Sequence, residues 1–160
     1  MAANQEQMVR DAAALMLGAR SATLATAANA IPHAALVTPA LDTDAQPLLL
    51  LSELSTHTAQ LRANPSCALL FTGQPTGANP QTAPRLCLTG EARPLDAQDK
   101  REIFLRLHPY AKLYIDFADF KLWKLFVLES NYVGGFASAS SLKYSALQHE
   151  IFKQTTQAEG

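Results

Sequence analysis

Residues 48 to 65, Leu-Leu-Leu-Leu-Ser-Glu-Leu-Ser-Thr-His-Thr-Ala-Gln-Leu-Arg-Ala-Asn-Pro, constrain the fold of this chain more than any other stretch. Leu48 to Leu51 follow the turn-rich Asp42-Thr43-Asp44-Ala45-Gln46-Pro47. An apolar run this short reads as a strand buried on both faces or as a piece of buried helix, and the flanking turn signals favour the strand. Beyond it, Ser52, Ser55, Thr56 and Thr58 cluster hydroxyls around His57, helix formers run to Arg62, and Asn64-Pro65 end the helix. A buried strand therefore delivers hydroxyls and unpaired N–H groups to the start of a helix, an arrangement that takes anions such as phosphate. The plainer reading is that Ser55 or Thr56 is an N-cap and His57 a surface residue.

The chain has 160 residues, enough for one domain with its own core, and we read 1–160 as a single unit. A formal net charge of −1 with 17% charged residues leaves no basic face for nucleic acid. A hydrophobic content of 48% supports a folded protein. The apolar stretches are too short to span a bilayer. The mixed charges of Glu6, Arg10 and Asp11 before Ala12 to Leu17 argue against a signal peptide, so a cytoplasmic protein is expected. Cys67 and Cys87 lie in strand-like segments and read as two buried thiols, with no metal site.

In order, the pattern predicts a helix over 5–19 and strands over 21–27 and 33–41, with Pro39 marking a bulge or sheet edge. The leucine strand, a short helix and a strand over 67–71 follow, then a long Pro/Gly-rich loop over 73–84. A strand over 85–91, a helix from Asp96, an aromatic-rich 110–120, strands over 121–128 and 132–136, and a last helix capped by Ser140 or Ser141 complete the chain. About seven short strands with few helices between them predict a mainly β, α+β fold: a six- to seven-stranded antiparallel barrel with peripheral helices. Glycine fingerprints for dinucleotides, a Walker lysine loop and a serine-nucleophile elbow are all missing from the sequence.

Four segments in order carry a family resemblance: Thr23-Leu-Ala-Thr26, Pro32-His-Ala-Ala-Leu-Val37, Leu50 to Thr58, and Leu61-Arg-Ala-Asn-Pro65. They resemble the FMN-binding split barrels related to pyridoxamine 5'-phosphate oxidase. Ser-x-Leu-x-x-His-Thr, Arg85 to Gly90, Asp116 to Phe120 and Val133 to Phe136 look most like its haem-utilisation branch. The resemblance covers roughly residues 10 to 147. It implies an FMN-binding homodimer, with the flavin in a cleft shared by both subunits. Leu36, Val37 and Thr38 would follow the isoalloxazine ring, and Ser52, Ser55, Thr56, His57 and Thr58 would line the phosphate end. Arg85 would reach the phosphate or ring from a neighbouring strand, while Trp123 and Phe120 would close over the flavin from the partner. The implied protein is a flavoprotein oxidoreductase of unspecified small-molecule substrate, with no catalytic side chain identified. The alternatives are a haem-binding or haem-degrading protein, with His149 a conceivable axial ligand, and a non-catalytic flavin sensor or carrier.

The chain departs from the oxidase pattern in having Thr56-His57 in place of an Arg-Lys pair and Ala35 in place of an arginine. Phosphate affinity would then rest on N–H groups, hydroxyls, Arg85 and either His57 or Arg20. Trp123 has a competing reading as core or dimer interface, His33 and His108 as packed or solvent histidines, and Arg85 as a surface ion-pair residue.

Overall fold

The computed structural model describes residues 2–135 and 138–158. The part of 132–136 at Phe136 lies outside the described residues. Period-two alternation builds the sheet: on β1 (Ala22–Ala28), Ala22, Leu24 and Thr26 are buried while Thr23 and Ala25 are exposed. β2 (Ile31–Val37) pairs antiparallel with β1 across a tight turn in which Asn29 and Ala30 take positive φ. The other strands are β3 (Ala40–Leu41), β4 (Pro47–Ser52), β5 (Ser66–Thr72), β6 (Arg85–Pro94), β7 (Phe120–Val133) and β8 (Ala139–Leu142). Seven of them form one antiparallel path in the order β2-β1-β5-β6-β7-β4-β3, and β8 adds to β7. The fold is the expected antiparallel split barrel with peripheral helices.

β2 occupies one edge of this path and β3 the other, yet only Thr38 and Pro39 separate them in sequence. Two residues span at most about 7 Å beyond their neighbours, so the sheet curls until its edges nearly meet. Pro39 has no N–H to donate to a ladder, and the barrel splits there. The Pro39 carbonyl is instead hydrogen-bonded at 2.9 Å by Nε2 of His108, which is buried. With Nε2 donating, Nδ1 accepts from the Tyr110 hydroxyl at 3.0 Å. His108 is thus the packed histidine of the plainer reading.

The four leucines are buried on both faces as expected. Leu49 and Leu51 join the main core with Leu24, Leu69, Leu88 and Trp123, beneath α1 (Ala2–Gly18) and α4 (Tyr144–Ala158). Leu48 and Leu50 face the other way, into a smaller core with Phe104 of α3 (Asp99–Leu107), Ile115 and Leu122. Asp42, with its side chain 1% exposed, ties this second layer to the sheet by accepting Lys100 and Lys124 at 2.8 Å each. Burial alone would push its carboxyl up, but the two ammonium groups and the Thr43 N–H outweigh this and hold it down at about 2.

Two expectations are corrected. Residues 121–128 and 132–136 are not two strands: β7 runs unbroken from Phe120 to Val133, because Glu129 and Asn131 point outward while Ser130 and Tyr132 are buried. Ser140 and Ser141 do not cap the last helix but pair with Tyr132 and Asn131 in β8, and α4 begins at Tyr144. One bulge accommodates the long strand, where the β6–β7 register shifts between Thr89 and Gly90. A Cβ at Gly90 would collide with the Phe126 carbonyl, so only glycine fits there. Gly90→Ala is expected to destabilise the fold by at least about 1–3 kcal/mol, seen as a lowered midpoint in urea melts. An unchanged midpoint would mean that the bulge relaxes without cost.

Candidate functional site

The site begins where β4 ends. The Ser52 hydroxyl donates to Asp119 at 2.8 Å, and the Glu53 N–H donates to the Asp119 carbonyl, fixing the exit of the strand. Glu53 then grips the Arg62 guanidinium through two hydrogen bonds, folding α2 (Thr56–Ala63) back over its own approach. Gln60 docks the helix on the sheet: its Oε1 accepts from the buried Thr26 hydroxyl at 2.5 Å and its Nε2 donates to the Ile31 carbonyl at 3.0 Å. His57 and Gln60 share a face of the helix at i, i+3, and Ile31 and His33 share a face of β2 at i, i+2. Docking Gln60 on Ile31 therefore sets His57 beside His33, with ring centres 6.3 Å apart and planes inclined by 22°.

The hydroxyls fix the tautomer of His57. The Ser55 hydroxyl donates to the Ser52 carbonyl at 2.7 Å, so its proton is committed. Its oxygen then accepts from His57 Nε2 at 2.9 Å and from the Thr58 hydroxyl at 2.8 Å. His57 carries its proton on Nε2, and Nδ1 keeps a lone pair. Burial, reinforced by the neighbouring His33, lowers the affinity of this imidazole for a second proton. The cluster is thus a neutral, base-bearing site.

This bears on the fit of a flavin phosphate. In favour, Ser55 precedes the helix without a side-chain cap, and the N–H groups of Thr56, His57 and Thr58 have no acceptor among the described residues. Against it, Ser52 and Ser55 spend their protons on Asp119 and on the Ser52 carbonyl, and the Asp119 carboxylate adjoins the cluster. Cationic side chains are engaged elsewhere: Arg62 with Glu53, and Arg20 with the last carbonyls of α1. The residues present fit an anion through backbone N–H groups and the exposed Thr56 hydroxyl. They do not reproduce a charged phosphate clamp.

Of the predicted site residues, Ser52, Ser55, Thr56, His57 and Thr58 lie together on this strand–helix junction. Leu36 and Val37 end the edge strand β2, with Leu36 77% exposed and Val37 packed inward, and Thr38 follows in the link to β3. Arg85 does not join the cluster. It starts β6, five residues from Gly90, which pairs with Cys67 and thence Thr26 and His33. That separation along the strand is roughly 17 Å, and the guanidinium donates to the Gln81 and Ala83 carbonyls of its own loop. Trp123 is 1% exposed in the main core, with Arg62 stacked 5.2 Å from its ring centre, so its ring is not presented at the surface to cover a flavin. Its side chain alternates inward on β7, and the indole N–H has no acceptor among the described residues. Phe120 is half-buried against Tyr114 and Phe117. His149 lies exposed on α4.

Asp119, Gln60 and His33 complete the site without having been picked out for it in the sequence. The usable signal was the inward alternation of His33 on β2; the partners of Asp119 and Gln60 are 67 and 34 residues away in sequence and carry no local signature. Among the described residues, no three His, Cys, Asp or Glu side chains converge as a metal site. The two thiols are free, and burial pushes that of Cys67 up to about 11.

Architecture and site together define a split-barrel protein with an exposed sheet face and an imidazole-bearing strand–helix junction. The β-barrel family model of CREG matches residues 4–148, and the chain belongs to that family. The chloroplastic heme oxygenase HOZ of Arabidopsis thaliana is 35% identical over 111 residues, which are 68% of this chain and 33% of HOZ. The chain therefore spans about a third of that relative's length. The heme-binding protein of Mycobacterium smegmatis superposes with a TM-score of 0.81 at 26% identity, covering 89% of this chain and 60% of that one. ChuZ of Campylobacter jejuni has the same fold, with a TM-score of 0.76 at 22% identity over 86% of this chain and 59% of its own.

The His57 ring is expected to show a protonated Nε2 and a bare Nδ1 at pH 7 in long-range 1H–15N spectra, with a titration midpoint below 6.5. The unfolded chain takes up that proton more readily, so this group's contribution to stability is present above 6.5 and is lost as pH falls below it. A midpoint above 6.5 would contradict the burial of the ring beside His33, and an unprotonated Nε2 would contradict the committed Ser55 hydroxyl.

Proposed function

We propose that this protein binds haem, in keeping with the haem-utilisation branch of its fold. The observation that carries the reading is the 35% identity to HOZ over two thirds of the chain, an alignment that belongs to a heme oxygenase. The chemistry of the site supports it: the junction offers imidazoles, good ligands for iron, in place of the cations expected around a flavin phosphate. His33, His57 and His149 are the accessible imidazoles, since both nitrogens of His108 are engaged. Bound haem would supply the iron and its redox chemistry, and the chain's own residues would hold and orient it. The second reading, an FMN-binding oxidoreductase, is favoured by the three free N–H groups that begin α2.

Haemin titrated into the purified protein is expected to give a saturable shift of the Soret band, weakened in one of His33→Ala, His57→Ala or His149→Ala. Full shifts in all three variants would rule out imidazole ligation. Absence of any shift, together with quenching of FMN fluorescence, would replace haem by flavin.

A homodimer is part of the same proposal. The outer face of β2-β1-β5-β6 carries Ala34, Leu36, Thr23, Ala25, Ala68, Leu70, Cys87 and Thr89 in adjacent register, a smooth, uncharged surface. α1, α2 and α4 pack on the inner face, with Ala12, Met16, Leu61 and Leu147 in the core there. An apolar sheet face of this extent is suited to a second copy. Sedimentation is expected to give twice the monomer mass, reduced to the monomer by Ala25→Arg. A monomeric wild type would remove the shared cleft from the proposal. A cytoplasmic compartment belongs to the same proposal; among the described residues, no helix is long and apolar enough to cross a membrane.

A further inference from the structure

We infer that the seam of the barrel holds a second ligand site, a cleft that takes an aliphatic monocarboxylate with its chain inside and its carboxylate on Arg106. The inference does not rest on haem binding, because the seam cleft shares no lining residue with the His57 junction.

The cleft follows from the split. Pro39 lies where β2 and β3 fail to pair, and three helices close over the gap, each turning one stripe toward it. α3 contributes Ile103, Arg106 and Leu107, which share a helix face at i, i+3 and i+4. α1 ends there with Met16 and Leu17, α4 passes with Ile151, and the core residue Phe71, 1% exposed, lines the space from the sheet. Its volume is about 470 Å3, the size of a small-molecule site rather than of a protein interface.

The polar lining selects the head group. Asp42 is already answered: its carboxylate accepts from Lys100, from Lys124 and from the N–H and hydroxyl of Thr43. The Thr155 hydroxyl donates to the Ile151 carbonyl. Arg106 is the exception. It is exposed at the rim, and among the described residues its guanidinium meets no acceptor, Glu102 one turn earlier included. A place in the last turn of α3 suits the helix dipole, but it leaves the N–H fork unspent.

A free guanidinium beside an apolar cleft matches a planar, two-oxygen anion, which it can hold through two parallel N–H bonds. The ligand's chain then displaces water from Met16, Leu41, Ile103 and Ile151. With one open cation, and with the Asp42 carboxylate in the same wall, a second negative charge on the ligand would meet repulsion instead of a partner. Arg106 likewise repels a cationic amphiphile. The site therefore suits a single carboxylate on an aliphatic chain.

The test is calorimetric titration of the full chain, without haem, with decanoate below its micellar range. One molecule per chain is expected, with octanoate bound about tenfold more weakly through the loss of two buried methylenes. Decanol should bind about three- to tenfold more weakly than decanoate. Arg106→Ala should bring decanoate down to that level and leave decanol unchanged, with circular dichroism melts checking that the variant is folded. A second readout needs no substitution. The chain has four isoleucines, Ile31, Ile103, Ile115 and Ile151. Ile103 and Ile151 line the cleft, whereas Ile31 lies at the Gln60 docking contact beside the histidine junction. In methyl-labelled wild type, decanoate should shift the Ile103 and Ile151 resonances and leave Ile31 in place. Absence of saturable binding would overturn the inference, as would equal decanoate affinity in the wild type and Arg106→Ala. Shifts at Ile31 without shifts at Ile103 and Ile151 would move the acid to the histidine junction and overturn it equally.

Discussion

Two residues decide the shape of this protein. Thr38 and Pro39 join β2, at one edge of the sheet, to β3, at the other, so an otherwise open sheet must close on itself within the reach of a dipeptide. Proline at that seam prevents the ladder from continuing, and the freed Pro39 carbonyl is taken by a buried histidine whose second nitrogen is held by Tyr110. The curl turns one face of the sheet inward on α1 and α4 and the other outward. It also brings the end of β4 round to the flank of β1 and β2, where α2 can bridge them. Without the seam, the leucine strand and the His33 strand would be opposite margins of a flat sheet.

The junction that results is electrostatically different from a phosphate clamp. The Ser52, Ser55 and Thr58 hydroxyls donate inward, to a carboxylate, a carbonyl and another hydroxyl, so that part of the cluster presents lone pairs where a phosphate site would present protons. The half-buried His57 is disfavoured as a cation both by burial and by the imidazole next to it. A helix N-terminus still favours an anion, but its field acts here without a charged side chain.

Stability and site are coupled through ion pairs that serve position. The Glu53–Arg62 pair closes the β4–α2 turn and lays the Arg62 guanidinium over the buried Trp123 ring, joining the turn to the main core. Asp42, gripped by Lys100 and Lys124, joins α3 to β7 across the second core. Removing one member of such a buried group would leave the remaining charges uncompensated. The network therefore ties the β3–β4 connection and α3 to one position on the sheet.

The sequence by itself determined the elements whose cause is local. Four leucines between turn signals read as a strand buried on two sides, the hydroxyl-rich segment as a helix start, Pro39 as an edge, and four ordered motifs as a split barrel. The first three follow from periodicity and turn chemistry, which act over a few residues; the last is a family resemblance carried by the motifs themselves. Only the tertiary structure decided which of the polar residues meet. The family resemblance implied Trp123 as a flavin cover, with the core or dimer interface as the competing reading, and the pleat of a 14-residue strand points it into the core. The resemblance implied that Arg85 reaches the phosphate or ring, but register sets it far from the cluster and against its own loop. His33 and His57, 24 residues apart in sequence, meet because a glutamine three positions along the helix docks on a strand carbonyl two positions from His33. In a sheet, one residue of register moves every side chain to the opposite face. Register is set by bulges, seams and docking contacts distant in sequence, so composition and local pattern could supply the parts of the site but not its assembly.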